Sequence, residues 1–134
     1  KYMGDCIMSF WNAPLDCENH ADLAVKSALE VLDATKELNE ELKPLNLPPI
    51  NVGIGISSGE CIVGNMGSEL RFDYSVIGDA VNLGARLEGQ TRNYDGVDLL
   101  LSERTYQLCP DRAFTRVDRI KVKGKSEQVT IYTI

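Results

Sequence analysis

Tyr74-Ser75-Val76-Ile77-Gly78-Asp79-Ala80-Val81-Asn82-Leu83-Gly84-Ala85-Arg86-Leu87-Glu88 passes from the end of a strand into a helix. A helix is expected from about Gly78 or Asp79 to Arg92, with Val81, Leu83, Ala85 and Leu87 as its apolar contacts and Asp79 capping its start. Asn82 and Arg86 are four residues apart, so they project from one face of that helix. Taken alone, the pair reads as an exposed polar face.

Upstream, Cys6-Ile7-Met8-Ser9-Phe10-Trp11 is rich in strand formers and ends in the turn residues Asn12-Ala13-Pro14, which sets a strand to about Trp11. Ala21, Ala24, Val25, Ala28, Leu32 and Thr35 recur at three-and-four spacing, which predicts a long amphipathic helix over His20 to Leu42. The proline-rich stretch Lys43 to Pro49 stops it. Ile50 to Ile56 alternates apolar with small or polar residues, Ser57-Ser58-Gly59-Glu60 has turn chemistry, and Cys61 to Met66 is apolar again. This pattern reads as a β-hairpin.

Downstream, Leu99 to Leu101 reads as a strand and Ser102 as the cap of a short helix whose first turn carries Glu103. Phe114 to Lys123 and Val129 to Ile134 form a last strand pair around Lys123-Gly124-Lys125. Strands interleaved with two main helices give an α+β sandwich, a mostly antiparallel sheet with helices on one face.

The 134 residues, 43% of them hydrophobic, suffice for one domain, residues 1–134, with its own core. The formal charge of −6 is scattered along the chain, which argues against a broad grip on nucleic acid. Cys6, Cys17, Cys61 and Cys109 stand far apart, and His20, the one histidine, has no partner at metal-ligand spacing, so reduced structural thiols and an exposed histidine are expected. No apolar run approaches the ~20 residues that cross a bilayer, so the domain is expected to be soluble, cytoplasmic and without direct membrane insertion. The glycines Gly53, Gly55, Gly59, Gly64 and Gly67 lack the Lys-Ser/Thr pair of a phosphate-binding loop and are read as turn and close-approach residues.

Four collinear stretches carry a more specific signal: Lys1-Tyr2-Met3-Gly4-Asp5, Gly64-Asn65-Met66-Gly67-Ser68, Tyr74 to Glu88, and Val122-Lys123-Gly124-Lys125. Together they closely resemble the catalytic domains of class III adenylyl and guanylyl cyclases, of the bacterial and soluble branch. The resemblance implies a ferredoxin-like fold and conversion of ATP to cyclic AMP and pyrophosphate. It also implies two divalent metals per site, Mg²⁺ with Mn²⁺ as a substitute, held by two aspartates.

Asp5 matches the second of those aspartates. The first belongs to a strand that would precede Lys1, so the domain is expected to be truncated at its N-terminus. Alone, Asp5 would read as a turn-capping aspartate after glycine. Lys1 and Ser75 match the two base-reading positions. A lysine donates to adenine, where guanylyl members carry an accepting glutamate, while serine both donates and accepts. Asn82 matches the residue that orients the ribose and Arg86 the one that steadies charge on the α-phosphate. Lys123 matches the lysine of the terminal phosphates, and Arg71 is a further candidate phosphate contact. Asp73 and Asp79 are read as structural. The family draws its metal aspartates from one subunit and the remaining site residues from the other, which implies a homodimer, and regulatory or sensor domains are expected in the parent protein. Guanylyl or mixed specificity and a silent dimerisation domain are the rival readings.

Overall fold

The computed structural model describes residues 1–68, 71–122 and 126–134, and for Met66, Ser68, Arg71, Phe72 and Asp73 the backbone alone. The chain opens with a small hairpin, β1 (Tyr2–Met3) and β2 (Cys6–Ile7), paired Tyr2 to Ile7 and Met3 to Cys6. Gly4, in its turn, takes a φ of 63°, a left-handed conformation that costs glycine little. Backbone bonds of 2.8 Å in both directions between Lys1 and Met8 add one more rung. The expected run to Trp11 is not realised: the strand ends at Ile7 and residues 8–11 take no regular structure.

Helix α1 (His20–Leu42) has the expected bounds. Ala21, Ala24, Val25 and Ala28 are buried, while His20, expected to be exposed, is half-buried. A 3₁₀ turn at Lys43–Leu45, with Pro44 inside it, ends the helix. Asn39 then holds the chain that leaves it, donating from Nδ2 to the Ile50 carbonyl (2.9 Å) and accepting from the Ile50 N–H (2.7 Å).

The main sheet has the order β3 (Ile54–Ile56), β6 (Leu99–Ser102), β8 (Gln128–Thr133), β7 (Thr115–Lys121). Only β3 and β6 run parallel; the other two pairings are antiparallel. The strands β4 (Ile62–Ser68) and β5 (Arg71–Ile77) pair with each other as a separate antiparallel hairpin. The expected hairpin between 50–56 and 61–66 is therefore wrong. The Ser58 hydroxyl bonds the Thr105 hydroxyl (2.8 Å), which carries the 57–60 loop toward the helix after β6 instead of turning it back along β3. That helix, α3 (Glu103–Leu108), begins as expected, with Ser102 Oγ accepting from the Thr105 N–H.

The α+β class and the mostly antiparallel pairing agree with the sequence reading, but the helices divide between two faces. Neighbouring strand residues point to opposite sides. Accordingly Leu99 and Leu101 pack with Ala21, Val25 and Ala28 of α1, whereas Leu100 packs with Leu87 and Ile131. Leu87 belongs to α2 (Asp79–Gln90), so β6 is sandwiched between the two long helices. Each fully buried leucine contributes roughly 2 kcal/mol of hydrophobic stabilisation. Ala85, expected as an apolar contact of α2, is exposed. The four cysteines are free. Among the described residues no helix is long and apolar enough to cross a membrane.

Candidate active site

Lys1 and Ser75 are 74 positions apart in sequence, yet Lys1 Nζ lies 3.4 Å from Ser75 Oγ, a long and partly buried hydrogen bond. Ser75 sits in the middle of β5, opposite Gly64 of β4, and is 5% exposed. Paired residues of an antiparallel ladder share a face. A Cβ built on Gly64 meets nothing within 4 Å, so the face beside Ser75 is open there. The next pair on this face, Ile62 and Ile77, is exposed. The result is an ammonium group and a hydroxyl side by side, next to open and apolar strand surface.

Asp5 occupies the turn of the β1–β2 hairpin, exposed, four residues from Lys1. Its carboxylate oxygens suit Mg²⁺. Among the described residues, however, no group of three or more His, Cys, Asp and Glu gathers to hold a metal ion. Asp5 therefore fits as one ligand of a site that needs others.

Asn82 and Arg86 stand one turn apart on α2, both exposed, while Leu83 and Leu87 on the neighbouring row pack into the core. The helix is thus anchored by one row and presents the other. Neither the Asn82 amide nor the Arg86 guanidinium is engaged by a hydrogen bond or ion pair among the described residues. The N-cap of α2 is Gly78, and Asp79 is its first helical residue, so the expected Asp79 cap is corrected: no side chain caps this end, and Asp79 contributes only its charge to the first turn. Gly78 also lets the chain pass Cys61 and Glu60, since a Cβ there would stand 3.1 Å from the Glu60 carbonyl oxygen. Burial pushes the Cys61 thiol up from its ordinary pKa.

Arg71 opens β5, opposite Ser68, and its side chain lies outside the description; Lys123 and the 123–125 turn lie outside the described residues. A cleft of about 700 Å³ runs between the 57–60 loop, Asp79, Leu83 and the start of α3, and none of the residues nominated from the sequence lines it. Two aromatic residues near the Lys1–Ser75 pair, Phe10 read as part of a strand and Tyr74 as part of a motif, were given no role in the site from the sequence. The rings of Phe10 and Tyr74 lie 5.7 Å apart, and the adjacency of Tyr74 to Ser75 was the one available signal.

The profile of the adenylate and guanylate cyclase catalytic domain matches residues 1–134. The chain is 38% identical to an adenylate cyclase of Anabaena cylindrica, an alignment that takes in all of this chain and 27% of that protein. It is 33% identical to adenylate cyclase 1 of Rhizobium meliloti, with all of this chain and 20% of that protein aligned. The chain therefore spans about a quarter or less of the length of these relatives. Among solved structures, the adenylyl cyclase CyaB from P. aeruginosa superposes with a TM-score of 0.88 at 32% identity, covering 99% of this chain and 68% of that one. The guanylyl cyclase Cya2 superposes with a TM-score of 0.85 at 34% identity, covering 99% and 66%. With the family profile matched from end to end and the fold shared with its solved members, this chain belongs to the adenylate and guanylate cyclase catalytic domain family, the class III nucleotide cyclases.

Proposed function

We propose that the domain is an adenylyl cyclase. The ribose 3′-oxygen of ATP attacks the α-phosphorus, the bond from that phosphorus to the bridging oxygen of the β-phosphate breaks, and cyclic AMP and pyrophosphate result. The 3′-hydroxyl proton passes to water or to substrate, since among the described site residues no side chain stands out as a general base. The observation that carries this reading is the contact between Lys1 and Ser75. An ammonium donates and cannot accept, which suits the ring nitrogen acceptor of adenine and not the protonated N1 of guanine, and the serine hydroxyl serves either edge.

The other residues divide the remaining work. Asn82 orients the ribose. Arg86, one turn along the same exposed row, meets charge that grows on the α-phosphate as the new bond forms, and a group aimed at developing charge lowers the barrier rather than merely tightening binding. Lys123 and Arg71 hold the outer phosphates. Asp5 is a ligand for Mg²⁺ or Mn²⁺, which when bound lowers the pKa of the 3′-hydroxyl and neutralises phosphate charge. In this reading the site is shared in a homodimer, Asp5 from one subunit facing Lys1, Ser75, Asn82 and Arg86 of the other. The domain works in the cytoplasm under the control of other domains of its parent protein.

The test is Lys1→Glu combined with Ser75→Cys, which replaces a donor by an acceptor at the base edge. The ratio of kcat/KM for ATP over GTP should fall. An unchanged ratio would remove these residues from base reading. Mixed specificity is the second reading, favoured by the hydroxyl of Ser75 and by the similarity to the guanylyl cyclase Cya2, and the same assay on the unsubstituted protein separates the two.

A further inference from the structure

The N-terminal segment, made of the β1–β2 hairpin and the residues that follow it to Phe10, touches β5 at two neighbouring residues. On one side Lys1 reaches Ser75; on the other the Phe10 ring lies against Tyr74, centroids 5.7 Å apart and planes tilted by 39°, within the range of favourable aromatic pairs. Tyr74 and Ser75 are consecutive strand residues, so their side chains project from opposite faces of β5. Lys1 and Phe10 are themselves tied together, because the Lys1 backbone bonds Met8 in both directions at 2.8 Å and Phe10 follows two residues later. The contacts close a ring from Lys1 through Met8 to Phe10, across to Tyr74, along to Ser75 and back to Lys1.

We propose that the Phe10–Tyr74 contact is a strut that fixes where the Lys1 ammonium stands relative to Ser75, which makes both aromatic residues positioning residues for base discrimination. The inference rests on the reading of Lys1 and Ser75 as base-reading residues. Without the strut, one flank of β5 loses its hold on the segment that follows the hairpin and is tied to Lys1 through Met8. The Lys1 ammonium is carried on a flexible four-carbon side chain, so with its backbone less firmly placed Nζ would sample a wider range around the Ser75 hydroxyl. Small displacements of a positioned group are costly to discrimination. Tyr74 is 41% exposed, so loss of its ring removes little core.

The experiment uses the whole protein. kcat and KM are measured for ATP and for GTP in Tyr74→Leu, Phe10→Leu, Tyr74→Phe and Lys1→Ala, with thermal unfolding of each. Tyr74→Leu and Phe10→Leu should each lower the ATP-over-GTP ratio of kcat/KM by about three- to tenfold, the scale of one aromatic pair. The loss should come mainly through a higher KM for ATP, with cooperative unfolding retained. Tyr74→Phe keeps the ring and should keep the ratio. A merely structural pair would lower activity on both nucleotides alike and leave the ratio unmoved, and that result overturns the strut. Should Tyr74→Leu fail to fold, Phe10→Leu decides on the same criterion. Lys1→Ala separates failure of the strut from failure of base reading by Lys1. If it shifts the ratio while the leucine variants do not, only the strut is wrong; if it too leaves the ratio unchanged, base reading by Lys1 falls and the strut with it.

Discussion

Gly55 of β3 lies directly beneath Gly84 of α2, so close that a Cβ on Gly55 would overlap the Gly84 carbonyl oxygen and the Glu88 amide nitrogen. Ile54 and Ile56, on either side of Gly55, point the other way and pack on the α1 cluster. The strand therefore needs bulk on one face and none on the other, and the seat of the helix that carries Asn82 and Arg86 depends on that missing side chain.

Gly55→Ala is accordingly expected to destabilise the domain by about 1–3 kcal/mol, the scale of an overpacked contact, because the atoms in the way are backbone and cannot swing aside. It should also lower kcat, since α2 must shift. Denaturant unfolding reads the first effect and cyclase assay the second. An alanine variant as stable and as active as the parent would mean that α2 is not seated on β3 in this way.

Arg86→Ala separates chemistry from folding. The side chain is exposed, so unfolding should be unaffected. The loss of a group that meets transition-state charge should lower kcat by roughly 10²-fold with KM changed much less. An unaltered kcat would take Arg86 out of the mechanism.

A pH-dependent contribution to stability comes from the pair Tyr94 and Asp118. The Tyr94 hydroxyl donates to Asp118 Oδ2 at 2.7 Å, and burial, followed by that bond to a carboxylate, pushes the phenol from an ordinary 10 up to about 12. The same bond holds the Asp118 carboxyl below its ordinary value. A raised folded-state pKa means stability that is fully present below pH 10, where Tyr94 is neutral whether folded or not, and that is lost as pH rises toward about 12. Burial raises Tyr132 in the same direction, so a difference measurement is needed. Chemical denaturation between pH 8 and 12 should show a smaller alkaline loss in Tyr94→Phe than in the parent. Identical pH profiles would contradict the account.

The elements written in local pattern were legible. The three-and-four spacing from Ala21 to Thr35 defined α1, and Ser102 with Glu103 announced α3, because periodicity and capping are properties of neighbouring residues. The partner of a strand is not such a property. Ile50 to Ile56 and Cys61 to Met66 look like two arms of one hairpin, yet β3 pairs in parallel with β6, 45 residues away in register, and β4 pairs with β5. The division of the helices between two faces of β6 was hidden for a similar reason: Leu99, Leu100 and Leu101 form an unbroken apolar run that does not say which helix each leucine meets. In the site, Asn82 and Arg86 were readable as a helical row. Lys1, Ser75 and Asp5 were singled out only by resemblance to a family, since nothing in the sequence links positions 1 and 75. The aromatic contact behind them carried no signal beyond adjacency.

The proposed adenylyl cyclase site takes Asp5 from one copy of this chain and Lys1, Ser75, Asn82 and Arg86 from a second copy. The most direct measurement is product formation by the purified whole protein, given ATP or GTP with Mg²⁺ or Mn²⁺, with cyclic AMP and cyclic GMP quantified separately. The account predicts cyclic AMP from ATP at a kcat/KM well above that for cyclic GMP from GTP. Faster formation of cyclic GMP, or a folded protein that makes neither product with either metal, would contradict it.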